Sequence, residues 1–180
     1  GDGVRMAPIA EINDPLSTMG DPEGFPRNLL FELRPFQIVQ TPNQVLILYM
    51  FEKRWRVVWT DGRQLPKNPD PRWYGYSVGT WKDDFTFVVQ SNGTDDRTWL
   101  DNAGNPHSND MKVEERYHRV NQSTLELTVT IDDPKAYTKP WVARNKLALR
   151  LMPPNTDLME MIPSASEAAA YKKAFAAQGK

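Results

Sequence analysis

The chain has 180 residues, enough for one domain that buries about two thirds of the surface its unfolded form exposes. Its 22 basic and 23 acidic side chains leave a net charge of −1, which offers no broad field for phosphates and argues against nucleic acid as a partner. The absence of cysteine excludes disulfides, thiolate catalysis and Cys-ligated zinc, and no apolar run is long enough for a helix to insert across a membrane.

Fifteen prolines, ten glycines and abundant aromatic side chains fit many short strands joined by turns. Residues 1–35 are expected to form an extended arm, with repeated turn chemistry from Asp21 to Arg27. Strands follow at Phe36 to Gln40 and Gln44 to Phe51, the second apolar on both faces and therefore covered on both. Arg54 to Thr60 alternates Trp55, Val57 and Trp59 against Arg54, Arg56 and Val58, then ends in the turn Asp61-Gly62. Pro66, Pro69 and Pro71 make Leu65 to Arg72 a loop, because proline cannot donate to a ladder.

Tyr74 to Trp81 and Phe85 to Ser91 read as a hairpin about Lys82-Asp83-Asp84. Gly75 and Gly79 within it suit a bend in the wall, or a ring lying across it. Asn92 to Asn109 is a long polar connection of the kind that often carries function. Met111 to Val120 and Thr124 to Asp132 form the clearest hairpin, and Trp141 to Leu151 is the last strand. Ser164 to Ala176 has the capping residues and Ala, Glu and Lys content of a helix. The pattern predicts an all-β, antiparallel up-and-down barrel of about eight strands, lipocalin-like, over residues 36–152. The arm and a C-terminal segment, residues 153–180, complete the one domain.

Register arithmetic on the clearest hairpin picks out a site. If Val120 pairs with Thr124, Glu115 lies opposite Val129 and Tyr117 opposite Leu127, so a carboxylate shares the apolar face. It needs a cationic partner there, or must give up its charge. The same register puts Arg116 opposite Thr128 and His118 opposite Glu126, on the polar face. His107, between Pro106 and Ser108, is the other acid–base candidate, since imidazole titrates near neutrality. For both groups a structural role stands beside the catalytic one, as an ion pair for Glu115 and as an exposed or capping histidine for His107.

Arg63 after its turn can hold a carboxylate or developing oxyanion, or tie down a loop. Tyr74, Tyr76, Trp81 and Trp99 suit a flat apolar ligand, though aromatic strand residues are more commonly core. Ser77 lies outside any nucleophile elbow, and two histidines without metal-ligand spacing predict no metal.

The series DPEGFPR, WTDGR, WYGYSVGTWKDDFTFVVQS, TWLDNAGNPHS, VEERYHRV and TVTIDDPKAYTKPW resembles a large, mostly uncharacterised bacterial family, often secreted and abundant in acidobacteria and proteobacteria. Its pattern runs W-x-G-x-S-V-G-x-W-E-G-D-T-L-V-V, then W-L-D-x-x-G-x-x-H-S. The resemblance implies a periplasmic or secreted protein, although no targeting segment is expected in these residues, and it places Arg63, Ser77, Trp81, Trp99, Asp101, His107, Glu115 and Arg116 on motif positions. Asp21 and Pro163 stand at or near positions where the family carries cysteines, Tyr76 where it often has His, and Lys82-Asp83 where it has Glu-Gly. A phenol at Tyr76 can donate a proton but is a poor base at neutral pH.

The function expected is proton transfer without a cofactor, of lyase, isomerase or dehydratase type, on a small apolar or aromatic molecule. His107, Glu115, Tyr76 and Asp101 are the catalytic set, while Arg63, Tyr74, Ser77, Trp81, Trp99 and Arg116 hold the ligand. The alternatives are a non-catalytic carrier or sensor using the same cavity, and a barrel filled by its own side chains. A homo-oligomer is compatible with any of them.

Overall fold

The computed structural model describes residues 14–30, 33–162, 164–166, 169, 170 and 173. Eight strands form one sheet in chain order: β1 (Phe36–Gln40), β2 (Gln44–Tyr49), β3 (Trp55–Trp59), β4 (Tyr76–Asp83), β5 (Thr86–Asn92), β6 (Lys112–Asn121), β7 (Thr124–Asp132) and β8 (Trp141–Arg150). The sheet curves into a half-barrel with few helices. Each strand lies within about two residues of its expected bounds.

The expected uninterrupted antiparallel meander is corrected at one step. β3 and β4 run parallel, with Val58 opposite Ser77 and Trp59 opposite Val78. A parallel pair requires the chain to return the full length of the strand outside the sheet, and the proline-bearing stretch from Thr60 to Gly75 does so. The expectation of a closed wall is corrected as well. Among the described residues no ladder joins β1 to β8, so the curve stays open along that seam.

Alternation decides what faces the concave core. Val45, Ile47 and Tyr49 of β2 point inward, as do Val113, Glu115 and Tyr117 of β6 and Leu127, Val129 and Ile131 of β7. Each buried aliphatic side chain contributes roughly 1.5–3 kcal/mol. On β3 it is Arg56 and Val58 that turn inward, while Trp55 is 65% exposed. Gly79 lets a ring cross the wall, because a Cβ there would lie 2.3 Å from Cζ of Phe87.

The described part of the arm is not extended throughout. It contains two short helices, α1 (Pro15–Met19) and α2 (Arg27–Leu30), and drives Phe25 and Leu29 into the core. Asp14 caps α1 through Leu16 N at 3.0 Å and takes the Arg27 guanidinium at 2.8 and 2.5 Å, which ties the arm to itself. Arg27 also reaches Asn102 Oδ1 at 2.7 Å.

After β8 the chain crosses the open seam as a strap. Leu151 N donates to Ser123 O at 2.8 Å, Leu158 O accepts from Lys53 Nζ at 3.0 Å, and Met161 bridges to Phe51. Of the helix expected over residues 164–176, positions 165, 166, 169, 170 and 173 are helical, Ser164 is not, and the rest lie outside the described residues.

Candidate functional site

The open seam holds a groove of about 1150 Å³. Phe36 and Ile38 of β1 form one side and Leu147 and Leu149 of β8 the other. Ile47, Tyr49, Phe87, Tyr117 and Leu125 form its inner wall, and Leu158 of the strap its outer one. Arg54, Arg119, Arg150, Asp84 and Asp157 stand at its edges. The groove follows from topology, since two edge strands that do not pair with each other leave a channel between them, and the inward alternation of β2, β6 and β8 makes that channel apolar.

Behind the inner wall lies a buried polar network. Glu115 is wholly buried and ion-paired to Arg56 Nη2 through Oε2, while its Oε1 accepts from the Tyr117 hydroxyl at 2.6 Å. The Arg56 guanidinium lies over the Phe25 ring at 4.2 Å. Burial opposes the charge on Arg56, but the adjoining Glu115 carboxylate outweighs it and holds the guanidinium protonated. Burial, and then Glu115, push the Tyr117 phenol well above its ordinary range, so it remains a donor. Burial raises Tyr49 likewise, with Arg56 and Asn28 pulling the other way.

The hairpin register is the expected one, with Glu115 opposite Val129, Tyr117 opposite Leu127, Arg116 opposite Thr128 and His118 opposite Glu126. It shifts only at the tip, where Asn121 pairs with Thr124 and Val120 is left as the irregularity.

The remaining expected residues do not gather around the groove. His107 is buried in the β5–β6 connection, with Nε2 3.0 Å from Thr98 Oγ1 and Nδ1 3.3 Å from the Ser108 carbonyl. A carbonyl only accepts, so Nδ1 donates to Ser108, while the one proton of the Thr98 hydroxyl is directed at the Asp95 carbonyl at 3.1 Å as well as facing Nε2. Desolvation lowers the His107 pKa, with Ser108 and Asp133 opposing it. The Ser108 hydroxyl donates to Asp133 Oδ1 at 2.7 Å and is not activated by an imidazole. Asp101 closes its own turn by accepting from Ala103 N at 2.9 Å and Asn105 Nδ2 at 2.7 Å.

Ser77 is buried against Ser91, Oγ to Oγ 2.8 Å. Tyr76 lies beneath Arg72 at 4.1 Å and Trp99 beneath Arg27 at 5.6 Å. Arg63 pairs with Asp61 on an exposed turn and stacks over Trp59 at 3.5 Å. Arg116 points to solvent. Trp81, 47% exposed and packed on Phe87, is the one residue of the expected ligand-binding set that lines the groove. Tyr74 stacks on Tyr49, one layer behind, and donates to Glu52 Oε2 at 2.8 Å.

Sequence reasoning passed over three contributors. Arg56 was legible as a charge on the same strand face as Val58, which is the partner Glu115 requires. Tyr49 read only as one more apolar position. Glu23 gave no periodic signal, yet burial pushes its carboxyl up to about 7, with Arg27 opposing and Glu52 adding to the rise. Its backbone N–H donates to Glu52 Oε1 at 2.9 Å. Glu52 and Lys53 hold the left-handed backbone, φ 61° and 48°, at the turn where the strap docks.

Among the described residues no three His, Asp or Glu side chains gather as a metal-ligand set. Comparison with protein-family models, with curated proteins and with solved structures gives no significant match to this chain.

Proposed function

We propose that this protein is a non-catalytic carrier or sensor that holds a small apolar molecule in the groove between β1 and β8. The observation that carries this reading is the groove itself, a channel of about 1150 Å³ walled by aliphatic and aromatic side chains. Pockets of that size and lining bury most of a drug-sized ligand. Proton transfer needs its acid and base at one place. His107, Glu115 and Tyr76 are instead engaged with Thr98, Arg56 and Arg72, and none of the three lines the groove. Binding without turnover is the function this geometry supports better.

On this reading the curved sheet works as a lipocalin-like container, with the strap in place of the strand contacts that would close it. The motif resemblance to a bacterial family whose members are often secreted supports a periplasmic or secreted setting. Titration with diphenylhexatriene, which fluoresces only in apolar surroundings, tests the reading. The protein binds it saturably at one site, and Leu149→Lys, which puts an ammonium into the channel, abolishes the signal while the fold persists. A signal that is absent from the wild type, or equal in the two proteins, overturns it.

A further inference from the structure

One mouth of the groove also sets the charge of the ligand, an inference that rests on the binding reading above and adds a polar head to the apolar molecule proposed there. On β6 the alternation that turns Val113, Glu115 and Tyr117 inward continues to Arg119. Arg119 stands in a row with apolar neighbours. Its backbone N–H donates to the Phe85 carbonyl at 2.8 Å, Leu125 lies opposite it on β7, and Leu149 lies opposite Leu125 on β8. All four side chains line the groove, so a single guanidinium interrupts an apolar row at the end of the channel. Arg150 lines the groove one row further out, opposite Thr124.

This guanidinium is open to a ligand. Among the described residues the Arg119 side chain has no hydrogen bond or ion pair, and it is exposed. The apolar groups near it are exposed as well, Phe85 at 58% and Leu151 at 73%, and both belong to the groove lining. Five basic side chains line the groove against only Asp84 and Asp157, in a chain whose net charge is −1. Two of the five are engaged at the far end, where Lys53 donates to the Leu158 carbonyl and Arg34 lies over Phe51. Arg119 and Arg150 have no such engagement, and of the lining carboxylates only Asp84 of the β4–β5 turn shares their end.

Charge and shape decide the class of head. A carboxylate meets a guanidinium fork with two parallel hydrogen bonds, whereas an ammonium is repelled by it. At the mouth the head stays in contact with water, so no charge has to be carried into the core. The tail has room inward. From Gln40, which shares this end with Trp81 and Asp84, the groove follows β1 to Phe36, about 14 Å at roughly 3.4 Å per residue. We propose that the groove takes a medium-chain monocarboxylate, with its head on the Arg119 guanidinium beside Arg150 and its tail along β1 toward Phe36.

The test uses three probes with the same decyl tail on the full chain at neutral pH: decanoate, decyl alcohol and decyltrimethylammonium, each displacing diphenylhexatriene. Decanoate binds more tightly than the ammonium, and its affinity falls with added salt while that of the alcohol holds. Arg119→Gln weakens decanoate about three- to tenfold relative to the alcohol, and Arg119→Glu turns the preference toward the ammonium. The alcohol reports whether each variant still forms the groove; where it no longer binds, the wild-type preference and its salt dependence decide. Absence of diphenylhexatriene binding in the wild type would defeat the groove reading and this one with it. Diphenylhexatriene binding together with an ammonium as tight as decanoate, a salt-independent decanoate affinity, or an Arg119→Gln variant that binds the alcohol and keeps the wild-type ratio of decanoate to alcohol would overturn the carboxylate site and leave the groove standing.

Discussion

The Glu115 carboxylate on β6 and the Arg56 guanidinium on β3, 59 residues apart in sequence, meet in the core as a fully buried ion pair. They fix the face each strand presents inward. A slip of one residue in either strand would turn its charge outward and leave the other unpaired, at a cost of several kcal/mol. The pair also supports the groove, because Tyr117 donates to Glu115 and lines the channel.

Removing one partner of this pair is expected to cost about 3–5 kcal/mol, since the other charge stays buried without compensation. Arg56→Met and Glu115→Met should each lower the urea midpoint strongly. The double variant Arg56→Met/Glu115→Met should recover most of the loss. A double variant as unstable as the sum of the single ones would show that the pair is not the organising contact.

Gly79→Ala places a methyl group 2.3 Å from Phe87 Cζ and 2.8 Å from Val58 Cγ1. Overpacking of this kind costs about 1–3 kcal/mol. Pairing the change with Phe87→Leu should restore part of the stability, measured by thermal unfolding. If Gly79→Ala is neutral by itself, the ring does not need the bare backbone.

Glu23 gives a pH dependence of defined sign. Burial raises its folded pKa to about 7, above its ordinary value of 4.5, so the protonated carboxyl suits the folded state. That stability is fully present below about pH 4.5 and is lost as pH rises toward about 7. At roughly 1.4 kcal/mol per unit the loss amounts to about 3 kcal/mol. Glu23→Gln should remove it, so that the variant gains on the wild type between pH 5 and pH 8 in chemical denaturation. Parallel stability curves would assign the pH dependence to other groups.

His107 works in the opposite direction. Desolvation lowers its folded pKa below the ordinary 6.5, so the stability of the neutral ring is present above that value and is lost as pH falls through the folded pKa. His107→Gln should flatten the acid limb of the stability curve and leave diphenylhexatriene affinity unchanged. A loss of affinity with stability intact would bring His107 back to the ligand.

Much of the sheet was legible because its signals are local. The alternation in Thr124 to Asp132 and the short turn before it fixed the β6–β7 register, and with it the burial of Glu115. Of the two readings offered for Gly75 and Gly79, a bend or a ring across the wall, the ring holds at Gly79, where it is Phe87. Illegible were the contacts that depend on how the sheet curves. Nothing near Thr60 says that β4 will run parallel to β3, because the loop's prolines exclude a strand without setting the direction of return. The open seam arises from the non-local meeting of β1 and β8, which the sequence pattern of neither strand encodes. His107 was misleading for a related reason. A histidine in a polar loop looks available, but its ring is buried against Thr98, and Leu100 and Met111 of the same stretch are buried in the core.

Isoleucine methyl resonances measure directly whether the seam is a ligand site. Ile38 and Ile47 line the groove, whereas Ile131 is buried in β7 away from it. Titration with diphenylhexatriene should shift the Ile38 and Ile47 signals together, saturably, and leave Ile131 in place. Stationary Ile38 and Ile47 signals at saturating probe, or a shift confined to Ile131, would contradict binding in the seam.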